Sequence, residues 1–269
     1  MNEIEIYSFT PTSCQICSNN KLIKLGCKDF GISGNDYFEK KRMFPDYGLE
    51  IPYYRCVACD FIFTNAFDLW SEQDFRNHIY NEEYILSDPI FIKERPHRNA
   101  NMVSALFSNE FENLSVLDFG GGNGIFTKAL NNMGIKATSF DYFHDRNFFT
   151  LTKFYDLITS FEVIEHVPHY KQHEWVKNLQ SLLKPNQTAK IILSTKLLGC
   201  DASINDWYIA PRNGHISIHS KKSLAYLTKN AGLNLFSLNS GMHFLSHLID
   251  TFKSHHFSTE ARASLSTVC

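Results

Sequence analysis

The sequence predicts an α/β protein in which a mostly parallel sheet is covered by helices on both faces and a small cysteine-bearing module precedes it. Three observations predict this. From about residue 110 onward short aliphatic runs alternate with amphipathic segments, a glycine-rich stretch joins one such run to the helix behind it, and the first 60 residues carry two C-x2-C pairs. The runs SVLDF, IKATSFD, YDLITSF, AKIILST and LNLFSLN read as strands, with helices at roughly 124–133, 170–184 and 221–231 between several of them. Alternation of this kind sets strands parallel, and parallel strands need helices on both faces.

The chain can bury one large core with a small appendage, having 269 residues of which 43% are apolar. The division expected is 1–70 for the cysteine module, 71–110 for a helical connector and lid that includes a helix over about 96–108, 111–250 for the α/β domain, and 251–269 for a polar tail. A formal charge of -2 and a pI near 6.6 supply no basic field, so duplex nucleic acid is not an expected partner. The start MNEIEIYSF lacks a signal's cationic and apolar parts, and no apolar run approaches the ~18 residues of a membrane span. A cytoplasmic chain with no membrane insertion is the expectation.

Seven cysteines in a reducing compartment suit thiolate ligation and packing better than disulfides. Cys14 with Cys17 and Cys56 with Cys59 each form a knuckle that can aim two sulfurs at one ion, and two knuckles complete the tetrahedral set that zinc prefers. A closed four-thiolate shell leaves no open position, so the zinc expected is structural. The 38 residues between Cys17 and Cys56 exceed those of a compact zinc ribbon. Unligated core thiols are the other reading of these four residues.

The run VLDFGGGNG, 116–124, carries Gly120, Gly122 and Gly124 directly behind a strand. A dinucleotide fingerprint would want its third small residue at Ile125. Asp118 at the lip would repel a pyrophosphate and suits a ligand with an ammonium or sulfonium group. Asp141 ends the next strand about twenty residues on, where an acid accepts ribose hydroxyls. The ligand so described is a cationic nucleoside, and S-adenosylmethionine meets both demands.

VLDFGGGNG, the acid in SFDYF, YDLITSFEVIEHV, the LLKPNQ turn and KIILST together resemble the class I S-adenosylmethionine-dependent methyltransferases, over about residues 110–240. The resemblance implies a Rossmann-like, doubly wound sheet. It also implies that Asp118, Gly120, Gly122 and Gly124 line the methionine and ribose end of the cofactor, that Asp141 holds the ribose, that Tyr142 covers the adenine, and that Phe161 with Glu162 closes the far side. Only fourteen residues separate Asp141 from Asp156, so the usual third strand is shortened or missing, and Asp145 or Asn147 is left as a substitute adenine contact. The amino-terminal part, with YYRCVACDFIFTN, resembles zinc-containing methyltransferases of sugar and surface-glycan pathways. The sugar C-methyltransferases of that group continue into a further domain, so the resemblance here implies a hydroxyl acceptor on a glycan, a nucleotide-linked sugar or another small molecule.

FEVIEH follows the fourth core strand, where ligands of open α/β sheets bind. A helical turn starting there would set Glu162, Glu165 and His166 on one face. Two chemistries are open to them. His166 can take the proton of an acceptor hydroxyl, with a carboxylate such as Glu165 orienting the imidazole. Alternatively Glu162, Glu165 and His166 can hold a divalent ion such as Mg2+, as the resemblance of Glu-x-x-Glu-His to metal-binding segments of ubiquinone-pathway and small-RNA methyltransferases implies. A third reading has His166 as a strand-end cap. WYIAPRNGHISIHS, 207–220, reads as an acceptor lid in which Trp207 and Tyr208 can stack on a sugar, Arg212 can bind a phosphate, and His215 can complete the base or metal set. Tyr84, Arg95 and Arg98 could cover the cofactor's carboxylate end. Two rival functions are a nicotinamide-dependent sugar epimerase or oxidoreductase, for which only YLTK approximates the needed Tyr-x-x-x-Lys, and a non-catalytic protein that docks a partner through its zinc module.

Overall fold

The computed structural model describes residues 4–7, 9–108, 113–143, 154–186 and 188–248. Strands β1 to β10 and helices α1 to α7, numbered along the chain, belong to two compact units. The first unit draws on residues 1–89, 164–174 and 196–227, and the second on 90–163, 175–195 and 228–269.

In the first unit β1 (Leu22–Asp29), β2 (Glu50–Cys56), β3 (Ile62–Phe63) and β8 (Ser217–Ile218) form an antiparallel sheet in the order β1-β2-β3-β8. The β1–β2 register sets Leu22 opposite Cys56. That pairing folds the long interval between the cysteine pairs back on itself and puts both knuckles at one end of the sheet. The short helix α1 (Gly34–Glu39) lies between β1 and β2, and α2 (Glu72–His78) and α3 (Tyr84–Ser87) come after β3. Ser71 and Asp74 start α2 with a reciprocal capping box, which meets amide donors that a helix cannot satisfy itself. Edge-to-face rings, Phe67 against Trp70 at 4.6 Å and Trp70 against Phe75 at 5.2 Å, pack much of this small core.

In the second unit β4 (Ser115–Phe119), β5 (Lys136–Phe140), β6 (Leu157–Phe161), β7 (Lys190–Ser194), β9 (Asn234–Ser237) and β10 (Met242–Ser246) form one sheet, in the order β5-β4-β6-β7-β10-β9. The four strands β5, β4, β6 and β7 run parallel, and β10 is antiparallel to β7 and β9. Helices α4 (Arg95–Leu106) and α5 (Ile125–Asn132) pack Ala100, Val103, Phe126 and Leu130 against Val116, Leu157 and Ile192 of the sheet. Helices α6 (Gln172–Ser181) and α7 (Lys221–Asn230) each begin among the first unit's residues and end among the second's. This is the mostly parallel α/β sheet of the sequence reading, with a sixth strand, β10, that the pattern did not announce. Among the described residues β5 is a sheet edge, and Asp145, Asn147 and the tail 251–269 lie outside them. No helix among the described residues is long and apolar enough to cross a membrane.

Candidate active site

Parallel registry brings the carboxyl ends of β4, β5 and β6 to one edge of the second unit's sheet, with Phe119 opposite Phe140 and Asp118 opposite Thr159. The chain leaves β4 into the glycine loop. Gly120 has φ +85°, and a Cβ there would come within 2.5 Å of Val163 Cγ2, so both the backbone and the space demand glycine. Gly122, at φ +53°, has open space where a Cβ would stand, so this part of the loop can be approached closely. The loop amides are largely committed. Gly120 and Gly121 both donate to Phe140 O (2.7 and 3.2 Å), Gly124 donates to Gly121 O (2.9 Å), and Gly122 donates to Asp141 Oδ2 (2.9 Å). Asp141 Oδ1 accepts from the Phe143 amide at 2.8 Å. These two bonds fix the Asp141 carboxylate between the glycine loop and the start of the segment after β5.

Asp118 is buried, and burial pushes its carboxyl up to about 7; a 3.1 Å hydrogen bond from Thr159 Oγ1 works against that shift, and the charge of Asp141 adds to it. Tyr142 is exposed and sets its ring edge-on to Phe119 and Phe140. Phe161 turns toward the core, 5.3 Å from the Phe126 ring. Glu162 has φ +54°, an uncommon conformation for a residue with a Cβ. Its amide donates to Ser194 O and Oγ, and the Ser194 hydroxyl donates to Glu162 Oε1 at 2.7 Å.

The first unit gathers a different group. Glu165, His166 and His215 each offer a ligand atom, and these atoms all lie within 4.8 Å of one another. A 3-10 turn, Ile164–His166, carries two of them. Glu165 is fully buried and its Oε1 accepts from the Tyr208 hydroxyl at 2.8 Å. His166 Nδ1 lies 3.0 Å from Gly214 O, and His215 Nδ1 lies 2.7 Å from Tyr208 O. A carbonyl only accepts, so each Nδ1 carries the proton and a neutral ring keeps its lone pair on Nε2. The Ile216 amide donates to Glu165 O, tying the turn to the approach of β8.

One sequence expectation is corrected here. Glu162 does not share a helical face with Glu165 and His166, because its left-handed backbone precedes the turn and breaks the i, i+3, i+4 geometry. The third member of the group is His215. Arg212 is also not presented to a phosphate: its guanidinium is buried, donating to Ile79 O (2.9 Å) and Asn81 Oδ1 (3.1 Å), 3.6 Å from Glu83 and over the Phe44 ring. Tyr208, expected to stack on a sugar, is instead buried, and it bonds Glu165 through its hydroxyl and His215 through its carbonyl.

The four knuckle cysteines converge. Cys14 Sγ lies 3.7 Å from Cys59 Sγ, Cys17 Sγ lies 3.5 Å from Cys56 Sγ, and all four fall within 4.8 Å. Zinc–sulfur bonds of ~2.3 Å in a tetrahedron separate sulfurs by about 3.8 Å, so the set fits a tetrahedral ion. The two knuckles are built alike. Ser18 donates to Cys14 O and Asp60 to Cys56 O; Cys14 donates to Asn19 O and Cys56 to Phe61 O; and Ser18 and Asp60 both have positive φ. Within the cluster the hydrogen bond with Cys59 pulls the Cys14 thiol down to about 5, while burial pushes Cys17 up to about 11.

Residues 91–238, more than half of the chain, match the model of a family described as a methyltransferase domain. The chain belongs to that methyltransferase family. The fold of this methyltransferase is similar to that of a 1,6-didemethyltoxoflavin-N1-methyltransferase from Burkholderia thailandensis, solved with 1,6-didemethyltoxoflavin and S-adenosylhomocysteine, at 16% identity and TM-score 0.44 over 65% of this chain and 84% of that one. An O-methyltransferase family protein from Burkholderia thailandensis is 12% identical with TM-score 0.48, over 66% of this chain and 65% of that one. Magnesium protoporphyrin IX methyltransferase from Synechocystis PCC 6803, solved with S-adenosylmethionine, is 14% identical with TM-score 0.40, over 66% of this chain and 91% of that one. Among curated proteins none matches. Of the residues expected to form the methyltransferase's site, Asp118, Gly120, Gly122, Gly124, Asp141, Tyr142, Phe161 and Glu162 belong to the second unit, and Glu165, His166, His215 and the four cysteines to the first.

Proposed function

We propose that the chain transfers the methyl group of S-adenosylmethionine to a hydroxyl of a small acceptor, a glycan or nucleotide-linked sugar. One observation carries the cofactor reading. The amides of Gly120, Gly121, Gly122 and Gly124 are already bonded within the protein, one of them to a carboxylate. A pyrophosphate needs such amides free and disfavours two acids beneath it, whereas a sulfonium or ammonium group gains from Asp118 and Asp141. This argues against a nicotinamide dinucleotide. Arg98 on α4 has a buried Nε with no hydrogen-bond partner among the described residues, which suits the carboxylate end of the methionine moiety.

In the reaction the acceptor oxygen attacks the methyl carbon, the carbon–sulfur bond breaks with its electron pair going to sulfur, and the hydroxyl proton goes to His166 Nε2. The leaving thioether is neutral and needs no acid, so the protein's tasks are alignment and proton removal. Glu165, held by Tyr208, steadies the imidazolium that forms. A hydroxyl acceptor with a sugar face is supported by the first unit's aromatic group: exposed Tyr37 and Phe38 beside Trp207, with Lys40 over the Tyr37 ring and Lys196 over that of Trp207. The zinc assigned to Cys14, Cys17, Cys56 and Cys59 is structural.

A second reading of Glu165, His166 and His215 is a divalent ion, favoured by both Nδ1 atoms being held by backbone carbonyls, as in ligating histidines. Two imidazoles and one carboxylate suit zinc or manganese better than magnesium, which prefers oxygen ligands. Calorimetric titration with S-adenosylmethionine and NAD tests the cofactor: binding of NAD and none of the methyl donor overturns the proposal. Labelled methyl transfer into a cell extract then separates an enzyme from an inert docking protein. Loss of transfer in His166→Ala with unchanged cofactor affinity is expected for the base, and chelation reversed by manganese, with the cysteine zinc retained, for the ion.

A further inference from the structure

Gln172 and His219 are both fully buried. Burying two polar side chains is costly unless their donors and acceptors are met, and here they are met along one line. Gln172 Nε2 donates to Ile164 O (2.9 Å) and Val167 O (2.7 Å), which closes the carbonyl end of the turn carrying Glu165 and His166. Those two bonds fix the amide's orientation, so Gln172 Oε1 accepts from His219 Nε2 at 3.1 Å. His219 Nδ1 pairs with Ser223 Oγ (3.1 Å), Ser223 Oγ accepts from the Ser220 amide (2.9 Å), and Ser220 Oγ donates to Cys59 O (2.6 Å).

A second tie runs beside the first. His173, next to Gln172, donates from Nε2 to Ile16 O at 3.0 Å, and Ile16 lies between Cys14 and Cys17. One knuckle is therefore hydrogen-bonded to the segment 164–174 directly and the other through residues 219–223, and every residue of both ties belongs to the first unit. A three-residue 3-10 turn has little stability of its own, so its shape must be imposed from outside.

We propose that the four-cysteine cluster with its metal is a brace for the turn that carries Glu165 and His166, and that Gln172 and His219 are the positioning residues transmitting it. The inference takes from the functional reading only that Glu165, His166 and His215 are the working group. Its test uses neither cofactor nor acceptor, so the two can fail separately.

The full chain, zinc-loaded and 15N-labelled at histidine, is observed by long-range proton–nitrogen correlation, which reads the ring-nitrogen shifts and tautomers of His166 and His215. Gln172→Ala should displace both sets of signals while zinc stays at one per chain in the cysteine site. Chelation of that zinc in the wild type should displace the same signals, and in Gln172→Ala should displace them further by less than it does in the wild type, because only the His173–Ile16 tie is left to transmit it. His166 and His215 signals that are unchanged in the folded, zinc-bound variant overturn the proposal. Should Gln172→Ala not fold, Gln172→Glu keeps the volume and removes both carbonyl donors; it carries the same expectation, and unchanged signals there overturn the proposal equally.

Discussion

Asp118 lies beneath the glycine loop with its carboxyl raised to about 7, chiefly by burial. The unfolded chain holds that proton with a pKa near ~3.9. The folded state binds it more tightly, so the site's contribution to stability is full below pH ~4 and is lost as pH rises through about 7. Asp118→Asn should flatten that part of a denaturation-against-pH profile. A sulfonium or ammonium group nearby favours the ionised form, so S-adenosylmethionine should bind with proton release near neutral pH. Calorimetry in two buffers of different ionisation enthalpy reads this directly, and heats independent of the buffer would sink the idea. Asp141→Ala removes the acceptor of the Gly122 amide and, on the proposed cofactor site, that of the ribose as well. Charge-assisted bonds of ~1.5–3 kcal/mol imply a loss of cofactor affinity of roughly tenfold to a hundredfold. That Asp118 and Asp141 flank the loop was legible from strand ends and spacing. That Asp141 would bind the loop itself was not, because a pattern of residue types does not say which amide a carboxylate meets.

Among the elements, the glycine loop, the parallel strands and helices α4 to α7 were legible because each carries its own periodicity or its own glycines. The Ile164–His166 turn was not. A left-handed glutamate before it leaves no mark in composition, and the reading of a helix starting at Glu162 followed from spacing alone. Strand β10 escaped because two of its buried residues, His243 and Ser246, are polar, so no aliphatic run marks it as one marks β7. Tyr208→Phe tests how firmly the turn is held. Removing the hydroxyl that meets a buried carboxylate should cost about 1–3 kcal/mol of stability and displace the His215 ring signals, with cofactor affinity unchanged. Full thermal stability in that variant would mean that Glu165 finds another donor. Gly120→Ala is expected to be worse tolerated than Gly122→Ala, since only the first also meets Val163; equal melting temperatures would contradict the packing.

At the scale of the molecule, each unit is assembled from three separate stretches of sequence. The four cysteines were legible as one set from their spacing, while the recruitment of 164–174 and 196–227 to their unit rests on pairings too long in range and too short in length to read. If the cysteine metal stabilises the unit that contains it, chelation should raise hydrogen exchange across 9–89, 164–174 and 196–227 and spare β4 to β7. Uniform loss of protection would show that the metal secures the whole chain.

The pairing of Ile62 with Ile218 and Phe63 with Ser217 has a consequence for biosynthesis. A ribosome delivers the fourth strand of that sheet about 150 residues after the third, a delay of roughly 8–30 s at usual elongation rates. Nascent thiols at positions 14, 17, 56 and 59 are therefore made well before their enclosure can be completed, and a metal captured early would guard them against oxidation while the remainder of the polypeptide emerges.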